Sequence, residues 1–202
     1  MKKSERTKEK ILEIAVEMVA LKGYSSTTTK EIAKRAGVSE ATIFKYYATK
    51  DELLKKIVIK TLNEFYEYSV TKSLPEVLKR CQNKPIEIII KSILIERLTF
   101  LKDNFFALRV VVQEMMINDT VMKLFKEQAW QKISQVMSYL YELGVERGEI
   151  KDIGVDNFSK LIFSFIVMSL YEWMIGIKDP NTVDFEKEVN NYINNIFIGI
   201  NL

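Results

Sequence analysis

The stretch Thr28–Leu53, TTKEIAKRAGVSEATIFKYYATKDEL, packs three helix-start signals into 26 residues and limits the fold more tightly than any other segment. Thr28 stands three residues before Glu31, the spacing of a capping box in which each side chain satisfies the other residue's backbone N–H. Ile32 and Ala33 give that helix a buried side, and Gly37 is a residue that tolerates a left-handed stop. Ser39 can cap a second helix, with Val38 and Ile43 at hydrophobic-staple positions. Thr49 and Glu52 repeat the box spacing before Leu53 and Leu54. Helix, glycine turn and helix in this order predict a helix-turn-helix over about residues 28–47, with its second helix shaped for a DNA major groove.

The wording of the same stretch resembles one family. Ile32-Ala33, Ala36-Gly37-Val38-Ser39, Thr42, Tyr46-Tyr47 and Lys50-Asp51-Glu52-Leu53 are similar to the DNA-binding signature of the TetR family of bacterial transcriptional regulators. Several positions agree at fixed spacing across about the first quarter of the chain. One departs: Phe44 stands where the family commonly has a tyrosine, which removes a hydroxyl able to reach a phosphate. The resemblance implies an all-α homodimer of about nine helices per chain. A three-helix DNA-binding domain (1–50) would precede a helical ligand-sensing and dimerisation domain (51–202). It further implies a repressor that binds a pseudo-palindromic double-stranded operator, with the last two helices (about 155–176 and 183–200) pairing with those of the second copy.

The remaining residues restrict chemistry. Histidine is absent, which removes imidazole bases and ligands, and the single Cys81 can build neither a zinc site nor an internal disulfide. No phosphate-cradling glycine loop occurs, so neither a cofactor nor an enzymatic activity is expected. The N-terminal ten residues lack the apolar core of a signal peptide. Leu161–Ile177 is shorter than the roughly 20 residues of a membrane span and contains Glu172. A cytoplasmic protein with no membrane partner is the expectation. Charge is uneven: residues 1–50 hold 11 basic and 6 acidic side chains, net +5, whereas the whole chain is only +3. A basic head on a mildly acidic body suits contact with a polyanion.

Only 7 Gly and 3 Pro interrupt the chain, and helical periodicity runs through most of it. The first helix spans about Ser4–Leu21. A long helix starting at Thr49 is a mechanical link between head and body; Pro75 and Pro85 are expected to break the chain after it. Beyond Pro85 come Ile86–Leu101, Phe105–Ile117, a helix from an Asp119 cap through Leu143, Val155–Ile175 and Val183–Ile200, with Gly144, Gly148 and Gly154 marking a connection. The near-uniformly apolar Val155–Ile175 needs cover on every side, from its own fold or from a second copy.

The expected DNA contacts follow from these helix starts. Thr28, Thr29 and Lys30, then Ser39, then Lys50 lie where backbone N–H groups point outward toward phosphates. On the second helix Glu40 and Ala41 stand near the N-terminus, Thr42 can read a base edge or a thymine methyl, and Lys45 can reach guanine acceptors. Tyr46 is a further contact by analogy with the family. Phe44 can serve the core or a thymine methyl, Tyr24 a phosphate or packing, and Ile43 faces the core. For an effector, Phe100, Phe105, Met115, Met116, Trp130, Met137, Tyr139 and Trp173 are candidate pocket residues or else core. Such a lining suits a small hydrophobic or aromatic molecule, cationic if Glu114 or Glu172 turns inward.

Overall fold

A short helix survives only where its ends are satisfied and one side is buried, and the first helices show both conditions met. The computed structural model describes residues 3–200. Helix α1 (Lys3–Lys22) stops where Gly23 turns left-handed at φ 86°. Helix α2 (Thr29–Ala36) is opened by the complete Thr28–Glu31 box and closed by Gly37 at φ 69°. Helix α3 (Glu40–Tyr46) begins at Ser39, whose Oγ accepts the Thr42 N–H at 3.2 Å. Helix α4 (Lys50–Tyr66) follows. Thr49 caps it by accepting the Glu52 N–H at 3.0 Å, but the expected reciprocal bond goes elsewhere. The Glu52 carboxylate reaches back to the Ala48 N–H at 2.8 Å, satisfying the donor one residue earlier.

The rest of the described chain is also helical: α5 (Leu74–Arg80), α6 (Ile86–Asp103), α7 (Phe105–Met115), α8 (Asp119–Phe125), α9 (Gln131–Glu146), α10 (Val155–Met174) and α11 (Phe185–Ile200). Two π-helical segments, Glu67–Ser73 and Lys126–Trp130, join α4 to α5 and α8 to α9, so the described residues form nine continuous helical runs. All-α architecture is therefore as the sequence predicts.

Three local expectations need correction. Pro75 does not break the chain. The Leu74 N–H bonds back five residues to the Ser69 carbonyl, a new α-helical register starts there, and Pro75 falls in its first turn, where the missing N–H costs nothing. Helix α8 is capped by Asn118, not Asp119: the Asn118 side chain accepts from Thr120 N and Val121 N at 3.1 and 3.4 Å. Gly144 lies inside α9, not in the connection after it, and packs so closely on Ile150 and Ile86 that an added Cβ would force the Ile150 side chain to shift.

The chain divides into two compact units. The first holds the residues up to Glu64 together with Asn104–Ala129. Within it α1 packs against α2, α3 and α7, and Ile11, Ala15, Ile32, Ile43, Ile57 and Val58 are buried. Tyr47, 1% exposed, closes this core and donates its hydroxyl to the Lys8 carbonyl at 3.1 Å. Burial, with the nearby Glu52 and Glu9 charges, pushes its phenol up to about 12. The second unit holds Phe65–Asp103 and the stretch from Trp130 onward. Its centre is α6, which packs against α5, α9, α10 and α11 and buries Ile86, Ile89, Ile90, Ile93, Leu94 and Leu98. Each such aliphatic side chain contributes roughly 1.5–3 kcal/mol on burial.

A Cβ on Gly144 would lie 2.4 and 2.8 Å from Ile150 side-chain carbons and 3.3 Å from Ile86. Gly144→Ala should therefore lower stability by about 1–3 kcal/mol despite alanine's better helix propensity. Urea unfolding followed by circular dichroism reads this as a reduced midpoint.

Candidate functional site

The helix-turn-helix gathers most of the sequence-predicted DNA residues onto one exposed region of the first unit. Lys30, Ser39, Ala41, Phe44 and Lys45 are exposed, and Thr42, Tyr46 and Lys50 are half-buried. Phe44, left open between core and groove, is 45% exposed and leaves the core to Ile43. Lys30 and Lys45 make no salt bridge among the described residues, unlike their neighbours: Lys22 pairs with Glu31 and Arg35 with Glu17, each at 2.7 Å. Two lysines without acidic partners beside outward-pointing helix starts are suited to phosphate oxygens.

Several of these side chains are also braced by one another. The Thr28 hydroxyl donates to Glu31 at 2.8 Å while accepting the Glu31 N–H at 3.2 Å. Thr29 donates across the turn to the Glu40 carboxylate, tying α2 to α3. Ser39 and Thr42 hydroxyls are 2.8 Å apart, and the Tyr46 hydroxyl lies 3.0 Å from Ser4. At the start of α4, Lys50 Nζ sits 4.2 Å above the Tyr24 ring and donates to the Ser25 carbonyl at 3.4 Å. Tyr24 in turn donates its hydroxyl to Asp51, and burial together with that bond raises its phenol above the usual range. Tyr24 thus has a packing role in positioning Lys50.

The predicted pocket residues do not gather into one site: only Trp130 and Met137 come together, lining a groove of about 210 Å³. Phe105, Met115 and Met116 belong to the first unit, and Met116 is 80% exposed. Phe100 is buried in stacking contact with Tyr68, and Trp173 stacks on Phe185. Trp130 and Tyr139 are exposed. Of the predicted residues, Met137 alone lines a further cavity of the second unit, about 70 Å³ in volume, whose walls come from Phe65, the first π-helical segment, α6, α9 and α10. Neither glutamate faces it. Glu114 lies in the first unit, where burial raises its carboxyl against an Asn118 hydrogen bond; Glu172 is paired with Lys178 at 2.9 Å. The charged residue that does turn inward is Arg97, and beside it Ser69. Sequence reasoning missed both. A signal existed: Arg97 follows Ile90, Ile93 and Leu94 by seven, four and three residues, so it shares their buried stripe.

A third feature is an open groove of about 610 Å³ between α10 and α11, lined in part by Phe165, Met168 and Tyr192. Along α10, Val167, Met168, Tyr171 and, just beyond its end, Ile175 fall on one stripe and are each about half exposed. No described helix is long and apolar enough to cross a membrane.

Comparisons with known proteins bear on these sites. Residues 11–57 match the family model described as bacterial regulatory proteins, tetR family. YttP of Bacillus subtilis, by its description a probable HTH-type transcriptional regulator, is 26% identical over 162 residues, covering 80% of this chain and 76% of YttP. IcaR of Staphylococcus epidermidis, the negative transcriptional regulator of a biofilm operon, is 31% identical over 61 residues, 30% of this chain and 33% of its own. Among solved structures, the transcriptional regulator FadR from Bacillus subtilis in complex with stearoyl-CoA superposes with a TM-score of 0.70 at 20% identity, covering 95% of this chain and 98% of that one.

The Glu31 carboxyl is held down from 4.5 to about 2, first by its Lys22 hydrogen bond and then by those with Thr28. A carboxyl depressed on folding stabilises the head above its unfolded value and loses that contribution as pH falls toward 2. Urea midpoints should therefore decline between about pH 4.5 and 2. Glu31→Gln should lower the midpoint at neutral pH and flatten the decline.

Proposed function

We propose that the chain, whose residues 11–57 match the tetR family model, is a ligand-responsive repressor that binds a pseudo-palindromic operator as a homodimer. The observation that carries this reading is the set on α3 of half-buried Thr42 with exposed Phe44 and Lys45, flanked by Lys30, which makes no salt bridge among the described residues, and by Lys50. Short side chains at Ser39 and Ala41 let the helix approach a groove, and longer ones beyond them reach base edges. Thr42 and Lys45 read sequence in this account; Thr28, Thr29, Lys30, Ser39, Tyr46 and Lys50 set position on the phosphates. Residues 1–50 carry DNA binding, and residues 51–202 carry dimerisation and sensing.

The half-exposed stripe on α10 supports pairing of α10 and α11 with those of a second copy. A row of Val167, Met168, Tyr171 and Ile175 in water is more apolar than an isolated surface needs, and a two-fold partner would cover it. Two heads would then enter successive major grooves roughly 34–36 Å apart. A negative regulator among the relatives supports repression, and the acyl-CoA carried by the structural neighbour supports an effector with apolar character. Release follows if the effector binds better to a dimer whose heads are wrongly spaced, since a ligand shifts an equilibrium only by its differential affinity. Helix α4, which begins at Lys50 and continues through Tyr66 into the first π-helical segment, is the covalent route for that shift.

Selection of bound duplexes from a random pool at two salt concentrations should recover an inverted repeat. Recovery of no motif, with binding that disappears as salt rises, would reduce the protein to a weak electrostatic binder. No duplex binding at any salt would point to a helical protein-interaction module. On the recovered operator, Lys50→Ala should weaken binding to all sequences alike and reduce the salt slope by about one. Thr42→Ala should change the preferred bases; equal behaviour of the two variants would contradict the division into positioning and readout contacts.

A further inference from the structure

The cavity of the second unit ends on a cation that its surroundings do not neutralise. Arg97 is 9% exposed, on a helix whose other buried residues are apolar. Two hydrogen bonds engage it: one from Nη2 to the Ser69 carbonyl, one from Nη1 to the Ser73 hydroxyl at 3.4 Å. A guanidinium has five N–H donors, so capacity remains. The carboxylate of Glu96 is held at one remove, accepting from Ser73, and its other oxygen pairs with the exposed Arg80 at 2.9 Å. Two guanidiniums share one carboxylate, and the cluster keeps a net charge of +1.

The neighbouring hydroxyl adds a second, independent observation. Ser69 is 3% exposed and lines the same cavity, yet its Oγ has no hydrogen-bond partner among the described residues. Its carbonyl is already taken by Leu74 N–H and Arg97, the bonds that hold the π-helical turn. A buried donor left unmade costs stability, as does a buried charge without its counter-ion, and such groups persist where a ligand completes them. Burial lowers the Arg97 guanidinium to about 10, which still leaves it charged at neutral pH. The wall away from Arg97 is aliphatic and aromatic, with Ile133, Val136 and Met137 from α9 and Ile162 and Ile166 from α10.

We infer that the effector, on the ligand-responsive reading above, is an apolar-tailed free carboxylate whose head group bonds Arg97 and Ser69. The carboxylate accepts two charge-assisted bonds from the guanidinium and one from the Ser69 hydroxyl, neutralising the cluster. The tail runs between α9 and α10. At about 70 Å³ the resting cavity is far smaller than the 300–1,000 Å³ of pockets that enclose a drug-sized ligand, so the tail must push side chains aside. Met137, unbranched and adaptable, is the side chain best able to yield. This reverses the cationic preference that Glu114 or Glu172 would have conferred.

Three probes with the same eight-carbon tail separate the head groups: octanoate, 1-octanol and octylamine, titrated calorimetrically into the full-length protein. Octanoate should bind at least about tenfold more tightly than the other two. Arg97→Met should bring octanoate down to the level of 1-octanol, and Ser69→Ala should weaken octanoate by several-fold while leaving 1-octanol unchanged. Should Arg97→Met fail to fold cooperatively, the wild-type series and Ser69→Ala decide alone. Equal or tighter binding of 1-octanol or octylamine, or no binding of octanoate, overturns the inference. The DNA reading is tested apart from it. Operator binding by the unliganded protein without octanoate binding would strike only the carboxylate. Octanoate preference without operator binding would strike only the repressor.

Discussion

Two helices of eight and seven residues, α2 and α3, carry the surface proposed to meet DNA, and neither is long enough to persist alone in water. Everything in the head follows from holding them. The Thr28–Glu31 box, the left-handed Gly37 and the Ser39 cap satisfy their ends, while α1 covers Ile32, Ala33 and Ile43. The inner face is thereby fixed, and the outer face is left with polar and basic side chains whose directions are set before DNA arrives. Such preorganisation lowers the ordering cost of binding. Tyr47 on Lys8 and Tyr24 under Lys50 extend the same bracing to the start of α4.

The second unit is built on a different principle. Its central helix α6 is surrounded by other helices, so packing rather than capping holds it, and Gly144 shows how closely α9 comes to its neighbours. Among the residues lining the cavity in that interior, Arg97 and Ser69 are the polar exceptions, and both meet at a π-helical turn. Such turns recur at functional sites because the widened register frees a carbonyl or redirects a side chain. Here the turn follows directly on α4, the helix that starts at Lys50.

What was legible in the sequence divides along the range of the interactions involved. Caps act within four residues, so Thr28, Gly37 and Ser39 could be read directly, as could the buried stripe of α1. Where two local partners competed, reading failed by one residue: Asn118 took the cap expected of Asp119, and Glu52 bonded Ala48 instead of Thr49. Pro75 was misread because a π-turn, closed by the Leu74 N–H on the Ser69 carbonyl five residues back, placed it in a first turn. The pocket was the least legible part. Aromatics and methionines were chosen by size, but size does not say which faces meet, and Phe105, Met115 and Met116 fall in the other unit. Arg97 was overlooked because a charge is expected outside, although its spacing from Ile90, Ile93 and Leu94 already placed it on a buried stripe.

The proposed repressor places two copies of this head on DNA together, at a distance fixed by their pairing. Affinity should be measured for duplexes in which the two halves of the selected operator are separated by inserted base pairs. A dimeric repressor should bind tightly at one spacing, lose affinity sharply when about five base pairs place the second half-site on the opposite side of the duplex, and recover partially at most when about ten restore the face. Affinity indifferent to spacing would mean that the heads bind independently, and the dimeric repressor would have to be abandoned.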